Sequence, residues 1–260
     1  MGISSEVVTS RANARVKQLR AAFAGHARLS SGLVAIEGEH LLEEALRSGQ
    51  PLKTIFLSER RETPSFTPRG VELIRLASDV FSSAVETQSP QGIAALLVPP
   101  VGDVEGMLIG TPLILIAVGM QDPGNLGTLI RSAEAFGATG VLTTPGTVSP
   151  WNNKCVRASS GSIFRVPLAL ATPEVLKRLE LAVVRLFAAM KDDAQPIEHA
   201  DLTTPCAFLI GNEGAGLAEN WVAMADTRVT IPCPGRVESL NAAVAGSLLL
   251  YEAARQRRTQ

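Results

Sequence analysis

The chain is short of cysteine, of long apolar runs and of net charge, and each shortage narrows what it can be. Cys155, Cys206 and Cys233 are the only 3 cysteines among 260 residues. They stand far apart and lack metal-ligand spacing. They therefore read as reduced thiols of a cytoplasmic protein, with no disulfide framework and no metal cluster. Charges and prolines interrupt every apolar stretch before it reaches transmembrane length. The opening residues are polar, which predicts no secretion signal. Lys and Arg number 24 against 25 Asp and Glu, a net charge of −1. No global field therefore draws nucleic acid, and any RNA contact must come from a local cluster. Internal repeats and low-complexity segments are lacking too. What is present is an ordinary globular composition, 46% hydrophobic, enough for one large domain or two smaller ones.

The most informative stretch is QDPGNLGTLIRSAEAFG, residues 121–137. Before it, Leu113 to Val118 is a short β-branched run that reads as a buried strand. Asp122, Pro123, Gly124 and Asn125 form a turn, with Asn125 as the expected helix N-cap. Leu126, Leu129, Ile130, Ala133 and Phe136 follow at helical spacing. Gly137 ends the helix, and Gly140 to Thr144 reads as the next strand. This is a βαβ unit with a polar loop at the carboxyl end of its first strand, where open α/β sheets bind ligands. Gly127 and Arg131 share one helix face. Tight packing beside a solvated arginine accounts for that pair as well as a site does.

Residues 1–30 are locally basic, with Arg11, Arg15, Lys17, Arg20 and Arg28 against Glu6 alone. Thr9 or Ser10 is placed to cap a helix through Val16, Leu19 and Phe23. The cluster is either a solvated helix face or a surface that tracks phosphates. Strand and helix patterns then alternate up to residue 98. They comprise a strand before Gly38, a helix from Glu39, strands at 52–58 and 71–77, a short helix at 79–84 and a strand at 92–98. This half reads as a small α/β sandwich. Gln91 and Gly92, ahead of the last strand, read as a turn, either plain or functional. Residues 99–110, PPVGDVEGMLIG, are rich in proline and glycine and form the expected linker.

Beyond the βαβ unit, residues 151–159 are read as a helix carrying Lys154 and Arg157. Phe164 to Leu170 is read as an edge strand, because Pro167 cannot donate to a ladder. A helix at 173–181 and a strand at 182–190 follow, then a polar loop with His199 on the surface. Cys206 to Gly211 is a strand that runs into NEGAGL, a turn whose glycines expose backbone to a ligand. It is neither a P-loop nor a dinucleotide fingerprint. Thr227 to Pro232 is a third such strand, followed by CPGRVES. Ser239 is the expected cap of a long helix whose inner face is Leu240, Ala243, Val244, Ser247, Leu248 and Tyr251. Asn241, in its first turn, reads as a site residue or an additional cap.

DPGNLGTLIRSAEAFGATG, FLIGNEGAGL and IPCPGRVESLNAAVAGSLLLYEA resemble, in order and spacing, the three motifs of the SpoU (TrmH) family of RNA ribose 2′-O-methyltransferases. VRASSGSIFRVPL resembles the segment between its first two motifs, and the likeness covers residues 111–256. SRANARVKQLR and AIEGEHLLEEAL resemble the family's amino-terminal domain. The resemblance implies an α/β protein with three parts. Residues 1–98 would be an L30e-like RNA substrate-binding domain, 99–110 a linker, and 111–260 a SpoU methyltransferase domain with a parallel sheet and a deep trefoil knot. It implies a homodimer using S-adenosylmethionine, with 23S ribosomal RNA the expected substrate. Transfer RNA methylation, or a non-catalytic RNA-binding or ribosome-assembly role, stand as alternatives.

By matching positions, Asn125, Arg131, Glu213, Ser239 and Asn241 would be the catalytic group, and Gly211, Ile231 and Leu240 would line the cofactor site. Arg11, Arg15 and Lys17 would contact RNA. Arg131 would stabilise the developing alkoxide and hold a phosphate rather than act as a base, since guanidinium does not deprotonate in proteins. Glu213 would orient Arg131 or a residue of the partner subunit. Two positions depart from the family pattern. Cys233 stands where methionine is frequent, and Ala243 where many members have serine.

Overall fold

A computed structural model describes residues 7–25, 32–237 and 239–258. Arg28 and Glu6, part of the amino-terminal charge pattern, lie outside the described residues. The chain divides into two compact units. One is Met1–Pro100 together with Trp151–Phe164, and the other is Val101–Pro150 together with Arg165–Gln260.

The first unit holds a five-stranded sheet built from β1 (Val7–Val8), β2 (Val34–Glu37), β3 (Leu52–Ser58), β4 (Glu72–Leu76) and β5 (Ile93–Leu97), in the order β1-β4-β3-β5-β2. β4 runs parallel to β1 and β3, whereas β5 is antiparallel to β3 and β2. Alternate side chains, among them Phe56, Ile74, Leu76 and Leu96, meet Val16, Leu19 and Phe23 of the Ala14–Phe23 helix and Val80 and Phe81 of the Ser78–Ala84 helix. β5 is buried along its whole length, as both faces of a covered sheet require. Asn13, not Thr9 or Ser10, caps the first helix by accepting the Arg15 N–H at 2.8 Å. Ser10 is used earlier, in a turn to the Ala12 N–H. The Asn153–Ser159 helix, capped by Asn152, packs with β2 and belongs to this unit. The sequence had placed it within 111–260.

The second unit is a seven-stranded, all-parallel sheet of β6 (Leu113–Ala117), β7 (Gly140–Thr143), β8 (Leu168–Leu170), β9 (Arg185–Ala189), β10 (Gln195–Pro196), β11 (Cys206–Ile210) and β12 (Thr227–Thr230). Their order is β10-β12-β9-β11-β6-β7-β8. Central β6 and β11 are fully buried, matching their uninterrupted apolar sequences. β8 is an edge strand. Pro167 precedes it, and its carbonyl accepts the Val141 N–H at 2.9 Å. The 99–110 stretch is not structureless. Asp103 caps a helical turn at Val104–Met107, and Met107 is 1% exposed in the core beneath Gly140. A Cβ on Gly140 would lie 2.5 Å from the Met107 side chain, so the two positions are packed against each other.

The Pro123–Ala135 helix and the carboxyl-terminal Ala242–Arg258 helix pack together over β6 and β11. Gly246 permits this approach, since a Cβ there would stand 2.4 Å from Leu129 Cδ2. The inner face of the last helix is Ala243, Gly246, Leu249, Leu250 and Ala253. Val244, Leu248 and Tyr251, expected inward, are 47%, 41% and 44% exposed. The sequence shows two adjacent apolar stripes on this helix, and the contact through Gly246 selects the other one. Among the described residues no helix is long and apolar enough to cross a membrane.

Candidate active site

Three of the strands, β6, β11 and β12, end at the same edge of the parallel sheet, and their following loops carry the motif residues. After β11 the chain folds back on itself. Asn212 and Gly216 exchange N–H···O bonds of 3.1 and 2.9 Å. Gly216 has φ +67°. A Cβ on Gly211 would lie 2.3 Å from the Gly216 carbonyl carbon. Only glycine permits that crossing.

After β6, Pro123 occupies the first helical turn and presets its φ. Asp122 then caps the helix by accepting the Asn125 N–H at 2.8 Å. Asn125 is therefore not the cap expected from the sequence. Its amide is released for other partners. Nδ2 donates to Glu213 Oε1 at 2.6 Å, and Oδ1 accepts from Asn241 Nδ2 at 3.1 Å. Asn241 does two things at once. Its Oδ1 accepts the Ala243 and Val244 N–H groups at 2.9 and 3.2 Å, which makes it, rather than Ser239, the cap of the last helix. Asn125, Glu213 and Asn241, one from each motif loop, thus form one hydrogen-bonded chain.

Beside this chain lies a cavity of about 840 Å³, whose walls include Gly211, Glu213, Ile231, Ser239, Leu240 and Asn241. Every residue expected to bind the cofactor lines it. Its size is that of a small-molecule site. Ile210, Val229, Ile231, Leu240 and Leu249 supply apolar wall, and Gly211, Gly214 and Gly216 bring the glycine turn to its edge. Cys233 also lines it and is exposed rather than packed as a filler. Ala243 is buried beneath the Asn241 cap.

Arg131 is not part of this cluster. It is exposed, lies about 9 Å further along the helix axis than Asn125, and does not line the cavity. Among the described residues its side chain makes no hydrogen bond or ion pair. Within one chain Glu213 is hydrogen-bonded to Asn125, and among the described residues it makes no bond to Arg131. In the first unit, Arg11 pairs with Asp79 at 3.1 Å and Arg15 with Glu72 at 3.0 Å, all four side chains being exposed. Lys17 is exposed and has no ion pair among the described residues.

The profile of the SpoU rRNA Methylase family matches residues 112–251, and that of the MRM3-like substrate binding domain matches residues 13–95. The chain belongs to the SpoU rRNA methylase family. It is an RNA ribose 2′-O-methyltransferase, and S-adenosylmethionine is its methyl donor. The Bacillus subtilis 23S rRNA (guanosine(2553)-2′-O)-methyltransferase RlmP is 34% identical, over 94% of this chain and 97% of its own length. A 23S rRNA (uridine(2479)-2′-O)-methyltransferase of Streptomyces viridochromogenes is 31% identical, over 96% of this chain and 92% of its own. The crystal structure of the SpoU methyltransferase AviRb from Streptomyces viridochromogenes, in complex with AdoMet, superposes with a TM-score of 0.87. The two share 30% identity, and the match covers 95% of this chain and 99% of that one.

Proposed function

We propose that this methyltransferase modifies the ribose 2′-hydroxyl of one nucleotide in 23S ribosomal RNA, and that the chain Glu213–Asn125–Asn241 holds the reacting ribose against the cofactor cavity. The observation that carries this reading is the pair of hydrogen bonds through Asn125, which tie three motif loops into one wall beside that cavity. Two relatives act, by name, on guanosine and on uridine of 23S rRNA. A ribose hydroxyl is common to every nucleotide, so a shared methylase site does not read the base. Choice of nucleotide then falls to the amino-terminal unit, where Arg11, Arg15 and Lys17 offer phosphate contacts. Both arginine pairs are exposed, so a phosphate can compete for them.

S-adenosylmethionine, when bound, supplies an electrophilic methyl group. Gly211, Ile231 and Leu240 would hold the cofactor as walls of that cavity. Asn125, Ser239 and Asn241 fix the ribose by hydrogen bonds, and Glu213 fixes Asn125. Holding the reactants in a near-attack geometry is the main source of acceleration. Arg131, exposed and off this cavity in its own chain, acts from a second copy of the protein, where it stabilises negative charge developing at the 2′-oxygen and holds a flanking phosphate. The proton leaves to that phosphate or to water.

The protein acts as a homodimer, with the trefoil knot of its family at the carboxyl end. Val244, Leu248 and Tyr251 form an exposed apolar stripe along the last helix, beside the helix that bears Arg131, and a second copy would cover that stripe. Dimerisation then completes the surroundings of Arg131, whose side chain has no partner among the described residues of one chain. A ribosomal RNA substrate is in keeping with a cytoplasmic enzyme.

The test uses purified protein, labelled S-adenosylmethionine and 23S RNA from a strain lacking the gene, followed by mapping of 2′-O-methyl positions. One ribose should approach stoichiometric methylation. Cofactor binding without methylation of any RNA would leave a scaffold role, and methylation of transfer RNA alone would refute the substrate.

A further inference from the structure

Asn212 belongs to none of the functional groups above, yet its side chain spans two of the loops that build the site. Its Oδ1 accepts the Gly214 N–H at 2.8 Å and the Ala215 N–H at 3.3 Å, closing the glycine turn from inside. Its Nδ2 crosses to the loop after β6 and donates to the Gly119 carbonyl at 2.9 Å. Gly119, at φ +60°, is held from its other side by the Thr144 hydroxyl, which accepts its N–H at 3.0 Å. From Gly119 the chain runs within a few residues to Asp122, the cap, and Asn125. Asn212 itself is half-buried and lines the cavity next to Glu213.

We propose that Asn212 is a positioning residue, whose amide sets the register between the cofactor turn and the loop that carries Asn125. Two of its bonds shape the turn, and the third fixes where the turn sits relative to Asn125. The Asn125–Glu213 bond spans the same two loops from their outer side. Without the Gly119 bond the described residues leave the Val118 N–H to Ile210 carbonyl bond of 2.8 Å at the roots of the two loops and the Asn125–Glu213 contact beyond them, and a shift of about 1 Å in such a geometry costs roughly 100-fold in rate. This inference rests on the reading of Asn125, Glu213 and Asn241 as the reaction site.

The two roles of the amide separate by substitution. Asn212→Asp keeps an oxygen for the Gly214 and Ala215 N–H groups and removes the donor to Gly119. Asn212→Ser also caps such a turn and does not reach Gly119. Both variants are measured for S-adenosylmethionine Kd by calorimetry, for kcat on 23S RNA and for thermal midpoint, beside Asn125→Ala and Glu213→Gln. Either folded variant should keep Kd within about 3-fold and lose at least about 10-fold in kcat, the pattern of misplaced reactants rather than lost binding. A wild-type kcat in a folded variant overturns the proposal. So does a Kd that weakens as much as kcat falls, since Asn212 then only shapes the cofactor turn. If Asn125→Ala and Glu213→Gln both retain full kcat, the reading of the site fails instead, and the proposal with it.

Discussion

Replacing Arg257 by alanine should unfasten the end of the last helix. Its guanidinium donates from Nε to the Leu202 carbonyl at 2.9 Å and from Nη1 to the Thr111 carbonyl at 2.9 Å. Nη2 donates to the Pro112 and Thr204 carbonyls at 2.9 and 2.8 Å and lies 3.4 Å from Cys206 Sγ. One side chain thus ties the helix end to the segments that open β6 and β11. A hydrogen bond to a charged group is worth about 1.5–3 kcal/mol. The bonds share one cation and are not additive, and the released carbonyls regain some water, so the loss should be about 2–4 kcal/mol. At roughly 2–4 °C per kcal/mol for a unit of this size, the midpoint should fall by about 4–16 °C. Arg257→Lys keeps the charge but not the planar fork and should recover less than half. Arg257 does not line the cavity, so S-adenosylmethionine affinity should stay within about 3-fold. Scanning calorimetry of the purified protein reads the midpoint. A shift below about 2 °C for the alanine variant, or full recovery with lysine, would show that the fork is not what holds the helix end.

Arg131→Ala should abolish methylation and change S-adenosylmethionine affinity by no more than a few-fold, because the residue lies off the cavity; full activity would remove the role given to it. Lys17→Ala should weaken RNA binding and reduce the salt slope by about 0.9, with a smaller change for Arg15→Ala, whose charge already faces Glu72. Binding unchanged at low and high salt would return that helix face to solvent. Leu248→Arg should halve the mass measured by light scattering, whereas an unchanged mass would exclude this stripe as the dimer contact. Burial pushes the Cys155 thiol from 9.0 up to about 12, and burial, partly offset by Arg257, pushes Cys206 from 9.0 up to about 11. Both are neutral near neutrality, so a thiol reagent should label exposed Cys233 alone, and S-adenosylmethionine should protect it. Because both folded values are raised, the stabilisation from neutral buried thiols is complete below pH 9.0 and lost as pH climbs towards 11 and 12. A midpoint that holds steady across that range would contradict the burial.

The sequence by itself determined the alternation of strands and helices, because uninterrupted apolar runs such as Leu113 to Val118 and Cys206 to Gly211 are intelligible only as strands covered on both faces. It also determined the three motif loops, since their glycines and asparagines mark turns whatever lies around them. Periodicity could not say which of two apolar stripes on the last helix faces inward. That was decided by the approach of Leu129 to Gly246, a contact between residues far apart in the chain. Nor could local rules choose between Asp122 and Asn125, or between Ser239 and Asn241, as caps, because each is a competent cap on its own. Only the tertiary structure decided, by giving Asn125 and Asn241 to one another and Asn125 to Glu213 across three loops. The Trp151–Phe164 segment reads locally as one more helix and turn, and its place with the first unit follows from packing against β2, which no local signal encodes. Caps, turns and strands are set within a few residues, whereas faces and hydrogen-bond partners are set by whatever the rest of the chain brings alongside.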